Sequence, residues 1–532
     1  MPISYLSAAQ ISALSASTIQ SLSTTKLETL SSTQVGALSN TAVGTLSASQ
    51  VEALSSTQVK GLTATQIPAF AQNLIFDVDQ LSAFSGAQLN AMTSTQLAQL
   101  DASRMSALSA NQIGAMDATH FTALDATQIS TLDATRLQSL TATQLGAFST
   151  TDLGELSASQ LAALTSAQLA AIPATLVPQM SSTQFAALTD TQFQGMTSSQ
   201  VGALSTTQVS ALGADIGLFS ASQLMGLVDT QTAQLSTTQV ALLTQTQLAG
   251  LSSTGFSGLT STQVAGLTAT QLSGLSVTLL RSLSTTDFAE LTPTQVAGFT
   301  ASQLGALSPS NISSLSASQM KALTSTQLAG LTATQMGGLT TTDFAELTST
   351  QFQSLSAIQI GGLSTDNITG LDTTTLQSLA PSQLGGLTAT QLGALTTTDM
   401  TEFSTTQVAA LSAGQLGAVS VTDLAALSAT QVASLSTNAL KGLSAYQMRS
   451  LSSTAFAQLS GTQVQALSAT QLGSLATSVI AGLSTTQVGY LLPAQIPGLT
   501  LNQLAWLSDT NINAMTPLQV GAFTPAQVEA LG

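Results

Sequence analysis

The chain has 532 residues, a net charge of −16, no Cys and one His, with 6% charged residues beside 43% apolar ones. This balance excludes a disulfide scaffold or a Cys-based metal site. It argues against disorder driven by low hydrophobicity, and it offers no basic surface to displace counterions from nucleic acid.

Length alone suggests about three or four domains of ~150 residues, but self-similarity overrides that prior. Leu6, Leu14, Leu22, Leu30, Leu38, Leu46, Leu54 and Leu62 recur every eight residues, and Ile11, Ile19, Leu27, Val35, Val43 and Val51 follow five residues behind. The unit reads L-[ST]-x-[ST]-Q-[VLI]-x-[AG], with Leu as its first position, as in LSSTQVGAL at 30–38. The unit from Phe70 is two residues short, because Phe76 opens the next. The unit from Leu212 is one residue short, because Phe219 opens the next. The sequence therefore predicts one array over 1–532, with phase-coherent segments 1–75, 76–218 and 219–532. The start, MPISYLSAAQISALSAS, lacks the basic region and continuous apolar stretch of a secretory signal. No run of ~18 apolar residues predicts a membrane span.

The second position is mostly Ser or Thr, and Asp at Asp101, Asp117, Asp125, Asp133 and Asp372. All three residue types cap helix N-termini. Gln three residues later completes a capping box, as in Ser31 and Gln34. Pro293, Pro309, Pro381, Pro517 and Pro525 stand one residue past the cap, where proline fits the first helical position. Gly near the end of the unit suits a C-terminal stop. Pro68, Pro178 and Pro497 fall far enough into the unit to require very short helices. A continuous helix fails, since Leu every eight residues drifts by about 80° per repeat at ~3.6 residues per turn. The expected fold is an all-α solenoid of very short helices; the alternative is a β-solenoid, favoured by Thr and Val.

Exceptions at the fifth position set the superhelical period. From Gly255 they include Asp287, Asn311, Asp343, Asn367, Asp399, Asp423, Ala455, Val479 and Asn511, at alternating steps of 32 and 24 residues. The mean is 3.5 octads, so the exceptions line up if one turn takes ~28 residues. LSTTDFAEL at 283–291 recurs as LTTTDFAEL at 339–347 and LTTTDMTEF at 395–403. About 66 octads then give about 19 turns and a rod of ~150–190 Å. Asp287, Asn311, Asp343, Asn367, Asp399, Asp423 and Asn511 form the expected structural stripe.

Catalytic residues are not expected, and neither is a cofactor. His120, in MDATHFTAL, occupies the Gln position and reads as a solvated capping residue. The pairs Asp152/Glu155, Asp287/Glu290, Asp343/Glu346 and Asp399/Glu402 share helix faces and are the weak Ca²⁺ candidates. Two carboxylates per site read more simply as first-turn acids on a solvated face. Asp77 and Asp79 at the first slip read as a solvated loop. Lys26, Lys60, Arg104, Arg136, Arg281, Lys321, Lys441 and Arg449 form no run, and Tyr5, Tyr446, Tyr490 and Trp506 make no stacking platform. No nucleic-acid partner is expected.

LTPTQVAGF at 291–299 resembles the opening of the first helix in TAL-effector repeats, without their base-reading loop or basic surface. That resemblance implies helix and not DNA binding. In composition the whole chain resembles repeat regions of large bacterial secreted or surface proteins, including adhesins. This implies a non-enzymatic extracellular structural protein: a stalk, matrix component or self-associating filament subunit. The alternative is a binding scaffold that holds a protein or glycan on one face. A remote alternative is ice binding through recurring Thr-x-Thr, as in Thr63/Thr65, which needs a flat β face.

Overall fold

The computed structural model describes residues 2–71 and 76–531. Among them there is no strand; short α-helices and occasional 3-10 helices follow one another throughout. The all-α solenoid is thus the fold, and the β-solenoid alternative fails. The chain divides into two compact units, Met1–Gly266 and Leu267–Gly532.

Each octad is a short helix and two extended residues. Helix Ala158–Ala163 shows the pattern: Leu156 is extended (φ −75°, ψ 127°), Ser157 is extended (φ −68°, ψ 161°), and the helix follows. Ser157 Oγ accepts the Gln160 N–H and Gln160 Oε1 accepts the Ser157 N–H, so two otherwise orphaned donors are satisfied. All five prolines placed at the first helical position sit there, opening the helices Pro293–Ala297, Pro309–Ser313, Pro381–Leu384, Pro517–Val520 and Pro525–Leu531. The octads with the deeper prolines are 3-10 turns: Ile67–Ala69, Ala174–Gln179 and Pro493–Gly498.

The first and sixth positions point into the core. Leu54 and Val59, or Leu331 and Met336, are almost fully buried, and this pair repeats along both units. Burying each such side chain contributes about 1.5–3 kcal/mol before entropy. A lone octad has nothing to bury them against, so the next turn of the solenoid supplies the partner surface. Within the first unit, helix Ser32–Gly36 packs on Ser56–Val59; within the second, Ala333–Gly337 packs on Ala357–Gly362.

The glycines correct one expectation. Helix-end glycines such as Gly250 and Gly338 keep right-handed φ values of −80° and −84°, and among the described residues Gly213 alone has positive φ. At many of these positions Gly permits a close approach of the neighbouring turn. A Cβ on Gly330 would lie 2.4 Å from the Ala301 carbonyl oxygen, and one on Gly442 would lie 1.9 Å from that of Ala413. The helix is redirected at the extended first and second positions instead.

Candidate functional site

The fifth-position Gln does more than close its capping box. Gln58 is 3% exposed; its Oε1 accepts the Ser55 N–H at 2.9 Å, while its Nε2 donates to the carbonyls of Leu27 (2.7 Å) and Leu30 (2.8 Å) in the preceding turn. Those acceptors lie 31 and 28 residues back. Gln335 repeats the arrangement in the second unit, reaching Leu304 (2.7 Å) and Leu307 (2.9 Å) at the same separations. The amide therefore spends its acceptor on its own helix and both donors on the turn behind. These bonds fix one turn at about 28 residues, or three and a half octads.

The short octads shorten this staple and leave it intact. Gln80 reaches Val51 and Leu54, 29 and 26 residues back, and Gln88 reaches Val59 and Leu62 at the same spacing. Gln96 is the last so affected, and Arg104 returns to a separation of 28 at Phe76. The shortening itself, and the expected segment boundary at 75, involve residues 72–75, which lie outside the described residues. After the one-residue slip, Gln223 reaches Phe193 and Met196, 30 and 27 residues back, and Gln247 restores 28 at Phe219. Asp77, expected in a solvated loop, caps helix Val78–Ser82 by accepting the Gln80 N–H at 2.7 Å; Asp79 lies in its first turn.

Cations at the fifth position keep the staple. Arg136 Nε donates to the Leu108 carbonyl at 2.6 Å, 28 residues back, and its guanidinium pairs with the capping Asp133 at 2.7 Å. Arg104 repeats this with Phe76 and Asp101. His120, read from sequence as a solvated cap, lies instead between Asp117 Oδ1 (2.7 Å from Nδ1) and the Met92 carbonyl (3.0 Å from Nε2). Its position faces the preceding turn, which is why the ring is drawn in. Burial raises the Asp117 carboxyl, but the His120 backbone N–H, ring and charge together hold it below the usual carboxylate range.

Acids at this position keep the cap and lose the donor. The Asp152, Asp287, Asp343 and Asp399 carboxylates accept the N–H of Ser149 (2.6 Å), Ser284 (2.8 Å), Thr340 (2.9 Å) and Thr396 (2.7 Å). The calcium candidates are thus occupied in local caps, and Glu402 accepts the Thr373 hydroxyl at 2.8 Å. Glu290 is exposed, and Glu346 is half-buried. Among the described residues no three His, Cys, Asp or Glu groups converge as a metal set. Glu155 is held above the ordinary Glu range by burial first, then by Asp152 and Asp125. Asp343 and Asp423 are buried, and Asp152, Asp287 and Asp399 are half-buried. Of the calcium candidates Asp343 alone is buried and so departs from the solvated-face reading, because its position faces the turn behind.

The stripe pairs up at its shorter steps. Helix Thr285–Glu290, bearing Asp287, packs on Pro309–Ser313, bearing Asn311; Thr341–Ala345, bearing Asp343, packs on Thr365–Thr369, bearing Asn367; and Thr397–Glu402, bearing Asp399, packs on Val421–Ala426, bearing Asp423. Thr397 Oγ1 bonds Asp423 Oδ1 at 2.7 Å across the last pair. Asn367 and Asn511 keep one staple bond each, to Leu339 (3.0 Å) and Leu483 (2.8 Å). The buried Gln and its backward bonds are not among the sequence expectations; the one available signal was that a capping box uses only the amide oxygen and leaves the NH2 without a partner. Comparison with protein-family models and with curated proteins returns no match.

Proposed function

We propose that the chain is a non-enzymatic structural repeat protein of a cell surface or extracellular space, serving as a stalk, matrix component or filament subunit. The observation that supports this most is the fate of the fifth-position side chain. In octad after octad the recurring polar group is spent inside the fold, and the lone His is spent the same way. What remains outside is mainly Ser, Thr and Ala, in a chain with only 6% charged residues, a surface with few charges to resist lateral association of copies. The compositional resemblance to bacterial surface proteins points the same way.

A binding scaffold is the second reading, favoured by a cleft in the second unit beside Leu347 and Leu371. Ice binding has less support: the Thr63 and Thr65 hydroxyls bond one another at 3.0 Å beside a helical turn, where a flat β face would be required. Electron microscopy of the purified protein at low and high concentration tests the proposal. Fibres of constant width establish an assembly subunit; isolated rods support a stalk; compact globules would overturn both.

A further inference from the structure

Between Leu267 and Met515 every first-position residue is buried except Leu347 and Leu371, which are partly exposed. The staple is missing above both, as it is above the buried Leu411 and Leu427, so what sets the pair apart is the cleft between them. In the register that sets Gln335 on Leu307, the residue that should reach back to Leu347 is Thr375, and the one that should reach back to Leu371 is Asp399. Neither carries an amide. Between these two leucines Asn367 also replaces Gln, and it is one methylene shorter. Its Nδ2 donates to the Leu339 carbonyl, but its Oδ1 is buried with no hydrogen-bond partner, in a residue only 1% exposed. A cleft of about 220 Å³ opens there, lined by Leu347, Leu371 and Asn367 together with Phe344, Phe352 and two carboxylates, Asp366 and Asp372.

The charge of the lining is one-sided, beside the hydroxyls of Thr341, Ser349 and Thr375. Its carboxylates and the unpaired amide oxygen accept hydrogen bonds, and no Lys or Arg lines it. Phe344 and Phe352 meet edge to face, 5.9 Å between ring centres, and form the apolar floor of the cleft. Asp372 is held below the usual carboxylate range by the Thr375 backbone N–H, which keeps it ionised.

We propose that this cleft binds an organic cation carrying N–H donors on an apolar stem, a primary alkylammonium or alkylguanidinium, with the stem against Leu347 and Leu371 and the head at Asn367, Asp366 and Asp372. The proposal does not depend on the scaffold reading, since an otherwise inert array can carry one such site.

The test is titration of the full chain with n-butylammonium, read by calorimetry and by methyl NMR of Leu347 and Leu371. Saturable binding is expected at a Kd on the order of 1 mM or tighter. Tetramethylammonium, which has no N–H, and n-butanol, which has no charge, should bind far more weakly. Asp366→Asn and Asp372→Asn should each weaken n-butylammonium by about two- to fivefold, as for exposed ion pairs. The double variant Asn367→Gln/Thr375→Gln installs the residue the array itself uses, so it should fold and lose binding. N-acetyl-lysine methylamide binding as tightly as the free amine assigns the cleft to a basic side chain of a partner; binding of the free amine alone assigns it to a small molecule. Absence of saturation, or an unchanged affinity in the double variant, would overturn the proposal. Microscopy cannot produce either result, so failure here is distinct from failure of the scaffold reading.

Discussion

Residues 101–136 and 284–423 solve the same position in opposite ways. In the first stretch Arg104, His120 and Arg136 replace Gln, each beneath a capping Asp, and each still reaches the carbonyl 28 residues back. In the second, Asp287, Asp343 and Asp399 replace Gln, keep the cap and have no N–H to donate to the turn behind. The fifth position therefore has two separable duties: satisfying its own helix start, and donating to the turn behind. A long donor paired with an acid at the second position performs both. A short acid performs only the first.

Removing both duties should cost most. Gln335→Ala leaves the Thr332 N–H and the buried Leu307 carbonyl unpaired and takes one of two donors from the Leu304 carbonyl, an expected loss of about 3 kcal/mol. Thermal unfolding, with amide exchange localised around Leu304 and Leu307, checks it; exchange unchanged at those residues would show that the staple does not hold the turns. Closing the gap between turns should cost slightly less. Gly330→Ala drives a Cβ against the Ala301 carbonyl, for an expected loss of about 2 kcal/mol by overpacking; calorimetry should show a lower Tm, and an unchanged one would mean the turns separate freely.

Removing one duty separates the two stretches. Asp133→Ala deletes a cap and should cost about 1 kcal/mol, whereas Asp399→Gln adds the missing donor and should stabilise by about 1 kcal/mol. Denaturant unfolding of both variants decides; two changes of the same sign would break the comparison. The smallest effect is the pH dependence of Glu155. Its folded pKa is raised, so its contribution is fully present below the unfolded Glu value of about 4.3 and is lost as pH rises through the higher folded value. Glu155→Gln should remove that loss and make the variant slightly more stable than the parent at neutral pH. An identical pH profile would place Glu155 in open solvent.

Much of this architecture was legible in the octad. Ser157 with Gln160 announced a cap, Pro293 announced a first helical position, and the alternating steps through Asp287, Asn311 and Asp343 announced three and a half octads per turn. The other end of the Gln was not legible, because its acceptors are backbone carbonyls, which every residue possesses and no sequence pattern marks. The glycines misled for a related reason. Gly330 is required by the backbone of Ala301 in the preceding turn, and a glycine chosen for clearance is spelled the same as one chosen for a left-handed turn. Leu347 and Leu371 match every other first-position Leu in sequence, and a missing amide one turn later does not single them out, since Leu411 and Leu427 lack one too and are buried.

The staple also has a direction. The donor of each fifth-position Gln lies on the later turn and its acceptors on the earlier one, as Gln58 to Leu30 or Gln527 to Leu499. No turn waits on such a bond from a segment still to be made. During synthesis the newest turn meets a finished template of carbonyls and apolar side chains, and zips onto it. Contacts stay local in sequence, which favours rapid acquisition of structure and little exposure of unfolded intermediates. The array is built to be laid down like courses of brick, each course carrying its own mortar.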